Sequence, residues 1–395
     1  MKNGKEKMMR KIVVCLIIIC GTISSTACWD RRELDSLAVV MGVGIDQAQE
    51  KDKVLVTAQV IKPAEISSPG KGGGSGEKPY LNVTNTGNTV LETLRRFTHV
   101  INRRMYLAHN EVIILGNEVA REGVRAYLDL FFRDPEPRLT AWILVAKEKA
   151  GAVLETGAEL EKIPALNLAQ LLEARVATSE VPAVNLNDFC QRLMSKTAAP
   201  VAPLVEVSDE GKKKIARLAG TAVFKKDKLA GYLTLTESRG LLWVLNEIKG
   251  GIIVVKSPDG EGEVSLEILR ASSKITPEIK DGKPFFTVKI KEEGNLDEQK
   301  CAENLTTLTA WAALEQNQVG VIRQEVKAAL QKAQELNADI FGLGEVVQRK
   351  YPALWKELEL HWDEVFPQLE VKIVVETKLR RSSMITRPVT PAAAD

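Results

Sequence analysis

The chain has 395 residues, 45% of them hydrophobic and 27% charged, a globular balance at a length that suits about two or three domains. Residues 1–27 carry five basic groups and one acid, so without them the formal charge falls from +2 to −2. A chain this close to neutrality lacks the basic footprint that nucleic acid requires.

Lys2, Lys5, Lys7, Arg10 and Lys11 precede an apolar run, Ile12 to Cys20, and then a small, polar segment that ends at Ala27. This order marks residues 1–27 as a secretory signal peptide. The apolar run is well short of the roughly 20 residues that a transmembrane helix needs. Thr26 and Ala27 place small residues just before Cys28, as in a bacterial lipoprotein leader, whose cysteine becomes the new N-terminus and carries the lipid. Ser25 stands where an aliphatic residue is usual. Cys28 is the expected lipidation site; the alternative is an ordinary cleaved signal with a leftover thiol. Cys190 and Cys301 then remain. Outside the cytoplasm they are free to pair if geometry allows, but two buried thiols are the preferred reading.

Leu37 to Ile45 and Val54 to Ile61 read as strands. Residues 62–80, rich in Gly, Pro and Ser, read as a flexible loop, whose core 68–76 is either a spacer or a contact for a partner. Thr89 and Glu92 suggest a capping box for a helix reaching Ile101. A strand over Glu111–Leu115, a helix capped by Asn117 and ended by Pro135, and a strand over Leu139–Ala146 complete an alternation of strands and helices. From Lys147 to Met194 the pattern is helical, broken near Pro164 and Pro182. Residues 195–214, with Pro200, Pro203 and a polar stretch, are the expected domain boundary.

Beyond it, Ile215–Phe224 and Leu229–Leu235 flank a hairpin turn, and Thr236 or Ser238 starts a helix to Asn246. Strands are expected at Ile252–Lys256, Val264–Ser272 and Pro284–Lys291, with Asp281-Gly282 as a turn. Val319, Ile322, Val326, Leu330, Ala333 and Leu336 form one apolar face of a long helix that Gly342 and Gly344 stop. Trp355, Leu358, Trp362 and Phe366 form a second such face. Residues 369–376 alternate as a final strand, and the tail 388–395 reads as disordered. The expected fold is α+β: mixed sheets with packed helices in a unit over 28–205 and another over 212–387, the long C-terminal helix followed by a terminal strand.

The chain carries no phosphate-cradling loop, no nucleophile elbow and no zinc-protease motif. "GVGIDQ" (42–47) lacks the third glycine of a dinucleotide fingerprint. His99, His109 and His361 stand too far apart in sequence for a metal motif, and Glu161, Glu173 and Asp188 are unremarkable carboxylates. These residues imply no enzyme and no cofactor or metal. The aromatic face at Trp355–Phe366 is read as buried against the last strand, or else as a patch for a partner or the membrane interface.

Five stretches together resemble one family, the Ger(x)C lipoproteins that form the C subunit of GerA-type spore germinant receptors. They are "CWDRREL" (28–34) running into "LAVVMGVGID" (37–46), "RRMYLAHNEVIILGNEVAREGV" (103–124), "RDPEPR" (133–138), "GTAVFKKDKLAGYLTLTESRGLLWV" (220–244) and "DIFGLGEVVQRKYPALWKEL" (339–358). The resemblance covers nearly the whole mature chain; Ser25 and the expanded Gly-rich loop depart from it. It implies a non-catalytic subunit lipid-anchored to the outer face of the spore inner membrane. Its implied partners are an A subunit with a large soluble domain and a transporter-like integral-membrane B subunit, with an α+β fold unlike common enzymes. The alternative is an independent extracytoplasmic solute-binding lipoprotein.

Overall fold

The computed structural model describes residues 2–24, 34–66, 78–157, 160–211, 213–382 and 385. Cys28, the Gly-rich stretch 68–76 and the tail 388–395 lie outside them. The leader forms helix α1 (Lys2–Ser24). Strands β1 (Leu37–Gln47), β2 (Val54–Ile61) and, after the short α2 (Pro63–Ile66), β3 (Tyr80–Gly87) make an antiparallel meander. α3 (Val90–Arg96) leads to β4 (Arg104–Tyr106) and β5 (Val112–Leu115), both parallel to β1. α4 (Asn117–Glu122) and α5 (Arg125–Arg133) precede β6 (Trp142–Ala146). α6 (Ala150–Leu154), α7 (Pro164–Ala174) and α8 (Leu186–Met194) follow, then β7 (Val201–Glu210), β8 (Lys213–Lys225) and β9 (Lys228–Leu233).

Among the described residues these nine strands form one sheet in the order β3-β2-β1-β5-β6-β7-β8-β9, with β4 on β1. The parallel centre is buried on both faces, as its unbroken Val/Ile/Leu runs require. Ile113, Leu115, Ile143 and Val145 face one core, and Val112, Ile114, Leu144 and Ala146 face a second under α6 and α7. The glycines of "GVGID" serve this second face. A Cβ on Gly42 would lie 2.9 Å from Ala165 Cβ, and one on Gly44 would lie 3.2 Å from the Ala150 backbone. The motif is a close-packing device, not a nucleotide cradle.

The smaller sheet follows α9 (Leu235–Leu245): β10 (Ile252–Lys256), β11 (Glu263–Lys280) and β12 (Lys283–Gln299) form an antiparallel set. α10 (Leu308–Glu335), α11 (Leu343–Lys350), α12 (Pro352–Leu358) and α13 (Trp362–Val365) then return the chain to β13 (Glu370–Leu379), which lies parallel to β12. Parallel pairing demands such a long crossover. The long helix and terminal strand stand as expected, in an α+β fold with two mixed sheets.

Several local expectations change. The expected boundary falls at the β7–β8 hairpin, paired from Val201↔Val223 to Glu210↔Lys213, so the larger sheet has strands on both sides of it. One apolar core also continues from Val43 through Leu241 and Ile322 to Val375. The helix expected from Asn117 breaks at Gly123, where φ is +136°. Gly116 occupies its cap position, with Asn117 already helical. Thr234, rather than Thr236 or Ser238, caps α9, in a full capping box with Glu237. α10 ends at Leu336 and Asn337, before Gly342, which instead opens α11. The aromatic stretch is not one helix but α12 and α13 joined by a 3-10 turn.

Candidate functional site

The signature stretches place polar groups where elements of the two sheets meet. Asp339, in "DIFGLGE", is fully enclosed. Its carboxylate accepts the N–H groups of Leu343 (2.9 Å) and Gly344 (2.8 Å) and the Trp362 indole N–H (3.2 Å). Burial pushes its pKa up to about 6 against those donors. Its backbone oxygen accepts the Ala199 N–H at 2.9 Å. Arg192 on α8 donates to Ile340 O (2.8 Å) and Ala199 O (3.1 Å), and Ser195 Oγ bonds Glu345 Oε1 at 2.7 Å. A Cβ on Gly344 would sit 2.8 Å from Thr197. The motif thus locks the α8–β7 connection to the start of α11.

A second lock joins α9 to α10. Arg239 forms a two-pronged pair with Glu325, and the Trp243 indole donates to Glu325 Oε2 at 2.9 Å. Arg239 also reaches Ile252 O (3.1 Å) and Glu180 (3.4 Å). A third charge is interior: Asp46 at the end of β1 accepts Ala150 N–H (2.8 Å) and Gly151 N–H (2.9 Å), and burial raises its pKa. In "RDPEPR", Glu136 accepts the Leu107 N–H (2.8 Å) and pairs with Arg104 (3.2 Å). These arrangements fasten elements; none joins a nucleophile, a base and an oxyanion donor in one place.

His109 stacks edge-on to Tyr106 with ring centroids 5.9 Å apart, and His361 lies 3.6 Å from exposed Glu364. Among the described residues no group of His, Cys, Asp and Glu has a metal-holding arrangement. Glu173 and Asp188 are exposed and Glu161 half-buried, and the structure does not bring them into a site. Cys190 and Cys301 are free thiols, half-buried and buried, and burial raises both pKa values. Trp355, Trp362 and Phe366 are 4%, 4% and 1% exposed, so they form no surface patch. Trp355 meets Trp362 edge-on at 5.3 Å, and Phe366 lies 6.4 Å beyond.

Sequence reasoning passed over the Arg239–Glu325 pair and the two buried, unpartnered polar side chains Glu292 of β12 and Gln318 of α10. One signal was visible. Gln318 and Glu325 lie seven residues apart on the buried face that carries Ile322 and Ala329, polar interruptions of an apolar stripe.

Residues 30–207 match the family model described as spore germination protein N-terminal domain, and residues 219–383 match the one described as spore germination B3/GerAC like, C-terminal. Spore germination protein KC of Bacillus subtilis (strain 168) is 30% identical over 97% of this chain and 98% of its own. Spore germination protein B3 of the same organism is 26% identical over 92% of this chain and 94% of its own. The crystal structure of the GerBC protein superposes with a TM-score of 0.57 at 24% identity, over 89% of this chain and 99% of that one. The fold is therefore shared with GerBC, and the chain belongs to the GerAC-like family of spore germination proteins.

Proposed function

We propose that this chain is a lipid-anchored, non-catalytic subunit of a spore nutrient-germinant receptor. The end-to-end match to a spore germination protein, over 97% of this chain and 98% of that relative, carries the reading. Cys28 takes the lipid and holds the folded part at the outer face of the spore inner membrane. No described helix is long and apolar enough to cross a membrane, and one acyl chain anchors only marginally where two anchor firmly. Confinement to that surface raises the effective concentration of the chain around the A and B membrane subunits, so a modest interface suffices to hold them in a responsive assembly. Arg192, Arg239, Glu325 and Asp339 are committed to fastening α8, α9, α10 and α11, in keeping with a scaffold. Deleting the gene should abolish the response to one nutrient class while sporulation proceeds, and crosslinking in spores should recover the A or B subunit. A spore lacking both of those subunits that still responded through this chain alone would refute the scaffold role. Cys28→Ala should release the protein or leave it unprocessed; mass spectrometry finding an unmodified Cys28 on the mature membrane-bound chain would refute the anchor.

A further inference from the structure

A cleft of about 670 Å³ opens where the end of α9, the distal half of β11 and α11 approach one another. Its size falls within the roughly 300–1,000 Å³ of small-molecule sites. Three observations make it more than a gap between elements. Its charged lining is Arg192, Lys274, Arg349 and Lys350 against Glu345 alone, in a chain whose formal charge is only +2. Arg192 is committed to backbone carbonyls, Lys350 to Pro277 O at 2.9 Å, and Glu345 to Ser195. The side chains of Lys274 and Arg349 make no hydrogen bond or ion pair with the described residues. Finally, Ser273 Oγ is screened from solvent yet has no hydrogen-bond partner, an arrangement that costs free energy unless something fills it.

The backbone explains why this edge of β11 faces an opening. β10 pairs with β11 only from Glu263 to Glu267, so beyond that point no strand among the described residues lies on this side of β11. The Ser273 N–H turns outward to Asn246 Oδ1 at 2.8 Å, and the Pro277 carbonyl turns the same way to Lys350. Asn246 holds the left-handed cap of α9 that brings its amide there. Ile275 and Phe341 supply apolar wall beside the charges. We propose that this cleft is a binding site for a small organic anion. An oxyanion head engages Lys274 and the planar, doubly donating guanidinium of Arg349, the body takes the Ser273 hydroxyl, and bound ligand ties α11 to β11.

This goes beyond the receptor-subunit reading and does not rest on it. The test is calorimetric titration of the full chain in detergent with succinate and, separately, with glycerol 3-phosphate. Saturable one-to-one binding of either is expected, and the better probe identifies the head as carboxylate or phosphate. The double variant Lys274→Gln/Arg349→Gln should weaken it by at least roughly tenfold, since each side chain is exposed and carries a charge-assisted bond. Ser273→Ala, which keeps every charge, should weaken it by a smaller factor, and Lys51→Gln, on the exposed β1–β2 turn of the larger sheet and outside the cleft lining, should leave it unchanged. No saturable binding of either probe up to about 10 mM, equal affinity in the double variant, or equal weakening by Lys51→Gln would each overturn the proposal.

Discussion

Glu292 lies on β12 and is 2% exposed, with neither carboxylate oxygen hydrogen-bonded. Gln318 stands opposite on α10, its amide also without a partner. Burial, reinforced by the Glu293 and Glu315 charges, pushes Glu292 up to about 8 from 4.5. The unfolded chain therefore loses this proton first as pH rises, and the folded chain holds it longer. Stability falls between about pH 4.5 and 8 on this group's account. Glu292→Gln should stabilise the fold near pH 8 by roughly 3 kcal/mol and have little effect near pH 5, as urea midpoints at the two values would show. A gain of equal size at both would mean the carboxylate is not the cause. Asp339 behaves differently, because three donors depend on it. Asp339→Ala leaves the Leu343, Gly344 and Trp362 N–H groups unmatched in the interior and should cost about 3 kcal/mol or more. Loss of the near-ultraviolet signal of Trp362 with far-ultraviolet signal retained would localise that damage to the α11–α13 segment.

At the scale of elements, two glycines in packed helices separate the cost of close approach from helix propensity. A Cβ on Gly240 of α9 would fall 2.1 Å from Glu325 O of α10, whereas one on Gly320 of α10 meets nothing within 4 Å. Gly320→Ala should stabilise by about 0.5–1 kcal/mol; Gly240→Ala should destabilise by about 1–3 kcal/mol because α9 and α10 must part. Thermal melts of both variants check the pair, and a destabilising Gly320→Ala would contradict it. What was legible in the sequence follows the same division between local and tertiary causes. β2 and β10 begin and end where their apolar patterns do, and Asp281-Gly282 turns with both φ values positive, 49° and 77°. β3 gave no apolar pattern. It is a polar edge strand, held by Thr57–Thr84 (3.1 Å) and Gln59–Asn82 (2.8 Å) side-chain bonds to β2. β11 and β12 extend well past their apolar runs because they pair with each other through Lys280↔Lys283. The anion cleft was illegible: Asn246, Ser273 and Arg349 come from three elements far apart in sequence.

For the whole molecule, the β7–β8 hairpin and the shared core tie the two matched family segments into one body. Denaturant unfolding of the chain should therefore give coincident transitions by tryptophan fluorescence and far-ultraviolet dichroism; two well-separated transitions would show that the halves unfold independently. Cutting the chain in the β7–β8 turn at Gly211 should leave fragments that copurify, since β7 and β8 continue to pair. The position of β13 has a consequence for how the protein is made. A chain emerges N-terminus first, so the larger sheet is complete while β12 still lacks its parallel neighbour. Until Leu379 has emerged, β12 offers an open edge, and α10 lacks the strand whose Thr377 hydroxyl bonds Glu315 O at 2.9 Å. An open edge is where chains stick to one another. A stop codon just before Glu370 should thus send the product into aggregates, while one just after Arg381 should leave it unaggregated, so that maturation is decided in the closing moments of synthesis.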